Sequence, residues 1–387
     1  MIKPFFHRWE RRLASVSRAE RVVRDFDWGL DWIDAVTGLD KPKGLSPPTV
    51  AVTGLDKPKG LSPPAVSDRG DKPSGLSIVS SWVDAVMKDT DAFFTPATTH
   101  DYTLTPSPSD LRAAGEAGTL VFPSGFTTPH PENNLVRARY FPANPFRRSR
   151  RATDRVRRAV VVLAQWNANR GGHVGLCQML ARLGIASLRI SLPYHDERMP
   201  PELKRADYIV SANVVRTVQV CRQAVMDVRR ALWWLRDQGY ERLGLLGTSL
   251  GSCLSLLTTC HEPLVQAQAL NHISPFFSDV VWRGLSTEHV RTGLDGHVTL
   301  DELRSMWRPI NPWSYLDRVR GRQTLLVYAK YDLTFPVDLS LLFVDEFRRR
   351  QITVEVGVLP CGHYTTGQAP FKFLDGWYLG KFLATRL

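Results

Sequence analysis

Three residues of this 387-residue chain have the types and order needed for acyl-transfer chemistry: Ser249, Asp332 and His363. Ser249 stands in Gly247-Thr248-Ser249-Leu250-Gly251, between Arg-Leu-Gly-Leu-Leu, which reads as a buried strand, and Leu-Gly-Ser-Cys-Leu, which opens a helix. A tight strand-to-helix turn needs glycine on both sides of its serine, and it exposes the hydroxyl above the start of the helix. A serine hydroxyl alone is a weak nucleophile near neutrality, so it requires a base within hydrogen-bond reach and an acid that orients the base. Asp332 follows the apolar run Thr-Leu-Leu-Val-Tyr, and His363 follows the last apolar run in Leu-Pro-Cys-Gly-His-Tyr. Both lie where the C-terminal ends of parallel strands deliver functional groups.

Rivals exist for each role. Asp338 opens a helix and reads as its cap, while Asp227 lies among arginines and reads as part of a solvated helix face. Glu262 comes only after the helix that follows the serine. His272, at a strand end, is the main competitor of His363 and otherwise reads as a satisfied core histidine. The oxyanion donors are expected to be the backbone amides of Leu250 and Trp166, with Asn167 as the alternative to Trp166.

These side chains need a scaffold, and the sequence alternates strand and helix patterns. Strands are expected at 119–124, 134–141, 159–165, 186–192, 242–247, 265–272, 324–328 and 353–359, and helices at 174–183, 213–238, 250–260, 338–350 and 370–384. Continuous apolar runs such as Ala-Val-Val-Val-Leu-Ala fit strands covered on both faces. The fold class is therefore α/β, a mostly parallel, doubly covered sheet in one domain spanning 117–387. Residues 274–322 separate two strands and carry Phe276, Phe277, Trp282, Trp307 and Trp313, which is expected to form a helical lid over an apolar pocket. Tyr194, His195 and Arg198 follow a strand end and are expected to border the same mouth. Arg198 either receives an anionic substrate group or pairs with Asp196 or Glu197.

At these residues the chain resembles the α/β-hydrolase superfamily over 117–387. The resemblance is carried by Gly171-Gly172-His173, by Ser191-Leu192-Pro193-Tyr194-His195-Asp196-Glu197-Arg198, by the serine turn and by the Asp332 and His363 loops. Pro193, Tyr194, Arg198 and Pro200 make it most similar to relatives of α/β-hydrolase domain-containing protein eighteen. Many superfamily members carry His-Gly after the strand that supplies the oxyanion loop, where this chain has Ala164-Gln165. The resemblance implies an intracellular serine hydrolase acting on an acyl ester or related bond without a cofactor.

The first third reads differently. Residues 35–48, Ala-Val-Thr-Gly-Leu-Asp-Lys-Pro-Lys-Gly-Leu-Ser-Pro-Pro, recur letter for letter at 51–64, and a decayed copy follows at 71–77. Such Pro, Gly, Ser and Lys repeats offer too little apolar surface to stack, so 35–80 is expected to be a disordered linker. Before it, within region 1–34, Phe5, Phe6, Trp9, Leu13 and Val16 recur at helical spacing between arginines. That amphipathic helix is expected either to cap the main domain or to lie on a membrane surface. Residues 81–116 form a polar, proline-punctuated extension.

Composition bounds the partners. Apolar residues make up 43% and charged residues 23% of the chain, which excludes a wholly disordered or collagenous protein. The net charge of +12 includes a basic run, 146–158, expected to be a solvated loop or a contact for an anionic membrane surface. No zinc-finger spacing, P-loop or RNP-like segment is present, so neither nucleic acid nor a metal is expected. Five cysteines without CxxC spacing argue against a disulfide framework, and Cys361 is expected to be a packing thiol. The N-terminal stretch carries arginines and no apolar h-region, so a cytoplasmic location is expected. The leading functional expectation is a carboxylesterase- or lipase-like serine hydrolase acting on a lipid-like or small apolar acyl ester or thioester. An acyltransferase using the same triad and a catalytically silent binding protein are the alternatives.

Overall fold

The computed structural model describes residues 2–16, 20–34, 74–144 and 156–387. The repeat copies at 35–48 and 51–64, and all of the basic run before residue 156, lie outside the described residues.

The strands are β1 (Thr103–Pro106), β2 (Gly118–Pro123), β3 (Leu135–Phe141), β4 (Arg158–Leu163), β5 (Ala186–Ile190), β6 (Arg242–Thr248), β7 (Val265–Asn271), β8 (Gln323–Ala329) and β9 (Glu355–Leu359). They form one sheet in the order β1-β2-β3-β5-β4-β6-β7-β8-β9. The pairings from β1 to β5 are antiparallel, and those from β5 through β9 are parallel. The parallel strands end in register at the site: Leu163 pairs with Gly247, and Thr248 with Asn271.

Helices α1 (Ile2–Val16), α2 (Asp31–Asp34), α3 (Gly75–Lys88), α4 (Thr90–Phe94) and α5 (Ser109–Ala113) belong to the N-terminal third. After β4 come α6 (Val174–Arg182), α7 (Val214–Asp237), α8 (Leu250–His261), α9 (Phe277–Arg283), α10 (Glu288–Leu294), α11 (Leu300–Met306), α12 (Val337–Arg349) and α13 (Phe371–Arg386). Alternation along β4 builds two cores. Val160 and Val162 face a layer of α1, α6 and α13, whereas Val161 and Leu163 face a larger layer containing α7, α8 and α12. Thus both faces of the central strands are covered, as their unbroken apolar runs require.

The N-terminal third corrects two expectations. The linker boundary at residue 80 falls inside α3, and β1 is a strand that the polar sequence did not signal. The extension 81–116 is packed, together with the start of α3: Val79, Trp82, Val83, Phe93 and Phe94 join the larger core. They cover α7, in which 20 of 24 residues are buried. The arginines of α7 explain how a charged helix tolerates this. Arg222 donates to Phe93 O, Arg229 to Phe94 O at 2.7 Å, and Arg230 to Ala97 O at 2.7 Å and Pro123 O at 2.8 Å. The supposed solvated face is therefore a polar seam that satisfies backbone carbonyls of an irregular segment.

Helix α1 buries Phe6, Glu10 and Ala14, one residue per turn, against the domain. Of the basic run, Arg157 donates to Gln238 O and lies 4.2 Å over the Tyr240 ring, and Arg158 begins β4. Among the described residues no helix is long and apolar enough to cross a membrane. All five cysteines are free and buried.

Candidate active site

The turn between β6 and α8 places Ser249 in a strained conformation, φ 57° and ψ −121°. Its amide donates to Asn271 O at 2.8 Å, tying the turn to β7. A Cβ on Gly247 would lie 2.3 Å from Gly251 O, and one on Gly251 would lie 2.3 Å from Leu163 O and 2.6 Å from Ala164 O. Glycine at 251 therefore lets the start of α8 press against the end of β4. Gly251→Ala is expected to destabilise the fold by about 1–3 kcal/mol and to push the turn off β4, read as a lower urea midpoint together with slower labelling of Ser249. An unchanged midpoint would contradict the contact.

The three residues singled out by chemistry meet. His363 Nε2 is 3.1 Å from Ser249 Oγ, and His363 Nδ1 is 3.0 Å from Asp332 Oδ2. Asp332 Oδ1 accepts the amides of Thr334 at 2.8 Å and Phe335 at 2.7 Å, so the carboxylate is fixed from both sides. The Phe335 ring stacks on the imidazole of His363 at 5.3 Å. Burial pulls the His363 imidazole towards its neutral form, but the charge and hydrogen bond of Asp332, with the charge of Glu10, outweigh it and hold its pKa above the ordinary value. Burial likewise opposes ionisation of Asp332, yet the His363 charge and the two histidine hydrogen bonds hold its pKa below the usual carboxylate range.

His272 is not a bystander. Its Nδ1 lies 2.9 Å from the same Asp332 oxygen, and its ring centroid is 4.4 Å from that of His363. Its buried Nε2 has no hydrogen-bond partner among the described residues, in contrast to the satisfied core histidine expected. Burial, followed by the neighbouring His363 charge, keeps His272 below the ordinary imidazole pKa. Its Nδ1 faces Asp332, and of the two histidines it is His363 that hydrogen-bonds to the serine. His272, Asp332 and His363 form the one trio of metal-ligand types found among the described residues. With both imidazole Nδ1 atoms at hydrogen-bond distance from one carboxylate oxygen, the trio reads as a proton-bonded unit.

Ser249, Leu250, Trp166 and His363 line a cavity of about 870 Å³. The amides of Leu250 and Trp166 have no intramolecular acceptor among the described residues. The Asn167 amide is committed, donating to His195 Nε2 at 3.0 Å, which removes the alternative oxyanion donor. His195 reaches the cavity, but as a brace: its other nitrogen lies 2.9 Å from Pro193 O, and burial lowers its pKa to about 4. Neutral His195 thus holds the loop that carries Trp166.

Tyr194 and Arg198 do not border the mouth. Tyr194 is fully buried, with its hydroxyl 3.0 Å from His130 Nδ1. Arg198 is fully buried and pairs with Asp227 at 2.8 Å, not with Asp196 or Glu197. Both follow a strand end, but the 3-10 turn at Asp196–Arg198 swings Arg198 inward beneath α7. The Asp196 carboxylate instead meets Arg189 at 2.5 Å. Of the insertion at 274–322, α9 supplies Phe277, Val280 and Val281 to the cavity wall, and Ser286 and Thr287 follow. Trp307 packs away from it, donating to Val214 O of α7 at 3.1 Å. Cys361 is buried with its Sγ 3.3 Å from Thr366 Oγ1, and burial pushes its thiol up to about 12.

Five of the seven non-glycine residues with positive φ among the described residues line this one cavity: Asn167, His173, Asp196, Ser249 and His272. Backbone strain concentrated at the strand ends marks the region where geometry is held against local preference.

The order and direction of the strands, the two covered faces and the serine turn define an α/β-hydrolase fold. Among solved structures the chain is similar to acylaminoacyl peptidase from Pyrococcus horikoshii, with 14% identity and a TM-score of 0.52 over 65% of this chain and 40% of that one. It is similar also to acetyl xylan esterase 1 from Thermoanaerobacterium sp., with 15% identity and a TM-score of 0.52 over 80% of this chain and 94% of that one. The chain thus spans about 40% of the length of the peptidase and nearly all of the esterase. At these identities the likeness is one of fold. No family model matches the chain, and no curated protein matches it in sequence.

Proposed function

We propose that this protein is a serine hydrolase of the carboxylesterase or lipase type, cleaving an acyl ester or thioester with an apolar acyl group. The observation that carries the reading is the unbroken line Ser249 Oγ, His363 Nε2, His363 Nδ1, Asp332 Oδ2, with steps of 3.1 and 3.0 Å, opening on a cavity. Ser249 Oγ attacks the acyl carbonyl as its proton passes to His363 Nε2. The oxyanion gathers charge towards the Leu250 and Trp166 amides. The leaving alcohol or thiol takes the proton from His363, and water, deprotonated by the same nitrogen, releases the acid. Phe277, Val280, Val281 and Phe335 line the cavity and suit an apolar acyl chain, with α9 as the lid element. The closer resemblance to relatives of α/β-hydrolase domain-containing protein eighteen fits this reading. The five free, buried thiols fit a reducing cytoplasmic setting.

A fluorophosphonate probe is expected to label Ser249, located by peptide mass spectrometry, and to block hydrolysis of acyl esters. A folded protein that takes no label would overturn the reading in favour of a silent binding protein. The base must be neutral to accept the serine proton, so activity falls as pH drops through the His363 pKa. With that pKa held above the ordinary imidazole value, the acidic limb of kcat/KM is expected to have its midpoint above that of a free imidazole. A midpoint below that value would contradict the arrangement.

A further inference from the structure

A buried carboxylate outside the triad sits against the loop that carries His363. Glu10 belongs to α1, more than 350 residues away in sequence, and is fully buried. Its Oε2 accepts the Tyr364 amide at 2.9 Å, while Oε1 accepts the Thr365 amide at 2.8 Å and the Thr365 hydroxyl at 2.8 Å. The loop closes tightly on it: a Cβ on Gly362 would lie 2.3 Å from the Glu10 carboxyl carbon. Burying a carboxylate is unfavourable unless donors satisfy it, and here three donors from two consecutive residues do so.

The rest of α1 holds the other half of the pair. Phe6 stacks on Tyr331, the residue before Asp332, with centroids 4.7 Å apart and planes at 11°. After the helix, Arg21 donates to both Ala14 O and the Tyr364 hydroxyl at 3.1 Å, and that hydroxyl lies 2.6 Å from Ser286 Oγ of the insertion. One helix therefore contacts the loops of both His363 and Asp332.

We propose that Glu10 is a positioning residue of the catalytic centre, seating the His363 loop so that the N-terminal helix is a working part of the active site. The inference rests on His363 being the base. Glu10 acts on it in two ways, through the geometry of residues 362–365 and through its charge. The titratable or charged groups around His363 are Asp332 after β8, His272 after β7, Glu10 on α1, and Cys361 and Tyr364 in its own loop. Asp375 on α13 and Arg21, through Tyr364, stand behind that loop. Of these, Asp332 first and Glu10 second raise the basicity of His363 against the effect of burial. Burial in turn raises the Glu10 pKa, opposed by the hydrogen bonds from Tyr364 and Thr365.

The test uses the full chain carrying Glu10→Gln or Glu10→Ala, with Arg8→Gln on the exposed face of α1 as a control. Hydrolysis of an activated acyl ester is followed against pH. Glu10→Ala is expected to lower kcat by about 10²-fold through misplacement of His363, with KM little changed and with fluorophosphonate labelling slowed in parallel. Glu10→Gln keeps the size, removes the charge and turns one of the two accepting oxygens into a donor facing the loop, so the acidic limb of kcat/KM is expected to move to lower pH. Arg8→Gln is expected to change neither. A Glu10→Gln midpoint identical to the parent, or a Glu10→Ala kcat equal to the parent, overturns the proposal. So does a lowered melting temperature with both kinetic readouts unmoved. If Glu10→Ala does not fold, the Glu10→Gln midpoint decides. Parent enzyme that is active and labelled on Ser249 separates these outcomes from failure of the hydrolase reading.

Discussion

Alanine at Ser249 is expected to slow turnover of an activated acyl ester by roughly 10⁴- to 10⁶-fold, leaving only what binding and the oxyanion amides supply. His363→Ala should lose a similar amount, and the double variant should be no slower than the worse of the two, because serine and imidazole act as one unit. Steady-state kcat for the three variants, with active-site titration to exclude contaminating esterase, checks this. Losses that multiply instead would mean the side chains work independently, against the 3.1 Å contact between them. Asp332 should not be exchangeable for asparagine. Its Oδ2 accepts from two imidazoles at once, 2.9 Å from His272 and 3.0 Å from His363. An amide nitrogen at that position would present a donor to two donors.

The second large effect is on stability. Arg198 spans Asp227 Oδ2 at 2.8 Å, Asn133 O at 2.7 Å and Ser191 O at 2.9 Å, with no exposed surface. Arg198→Ala leaves buried Asp227 without its guanidinium partner, Ser191 O without its arginine donor and Asn133 O with only the longer bond from Gln223, which is expected to destabilise the protein by about 3–5 kcal/mol. Urea unfolding at neutral pH would show it as a clear fall in the midpoint. Combining Arg198→Met with Asp227→Leu should recover only the part of the loss due to the unpaired carboxylate, since Ser191 O still lacks the arginine donor and Ser124 Oγ and the Gly125 amide lose their acceptor. An unchanged midpoint with a raised KM for an anionic ester would return Arg198 to the substrate mouth.

The sequence made the parallel half of the sheet legible because its strands are covered on both faces and read as unbroken apolar runs. The serine, aspartate and histidine loops were legible because each follows such a run. Chain order also separated His363 from His272. What it could not reveal is that His272 shares the Asp332 oxygen, since its register is set by strand pairing between β7 and β8. Tyr194 and Arg198 were misplaced for a related reason. Position after a strand end does not say which way a short turn will aim a side chain, and this one turns inward to Asp227. The N-terminal third was misread because its partners are distant. Phe93 and Phe94 bury against Trp82, against His261 of α8 and Tyr315, and along α7, and the polarity of α7 makes sense only once their carbonyls are supplied as acceptors. Glu10 was hidden in a basic amphipathic helix, where the one buried charge looks like another surface residue.

The seam between the first hundred residues and α7 also bears on synthesis. Phe93 and Phe94 contact arginines 129 and 135 residues further along the chain. At about 5–20 residues per second, a ribosome needs roughly 7–27 s to make that stretch. Throughout that interval Trp82, Phe93 and Phe94 are outside or nearing the tunnel exit with nothing to cover them. The apolar surface that later shields the central helix is thus, during translation, without its partner helix until α7 emerges.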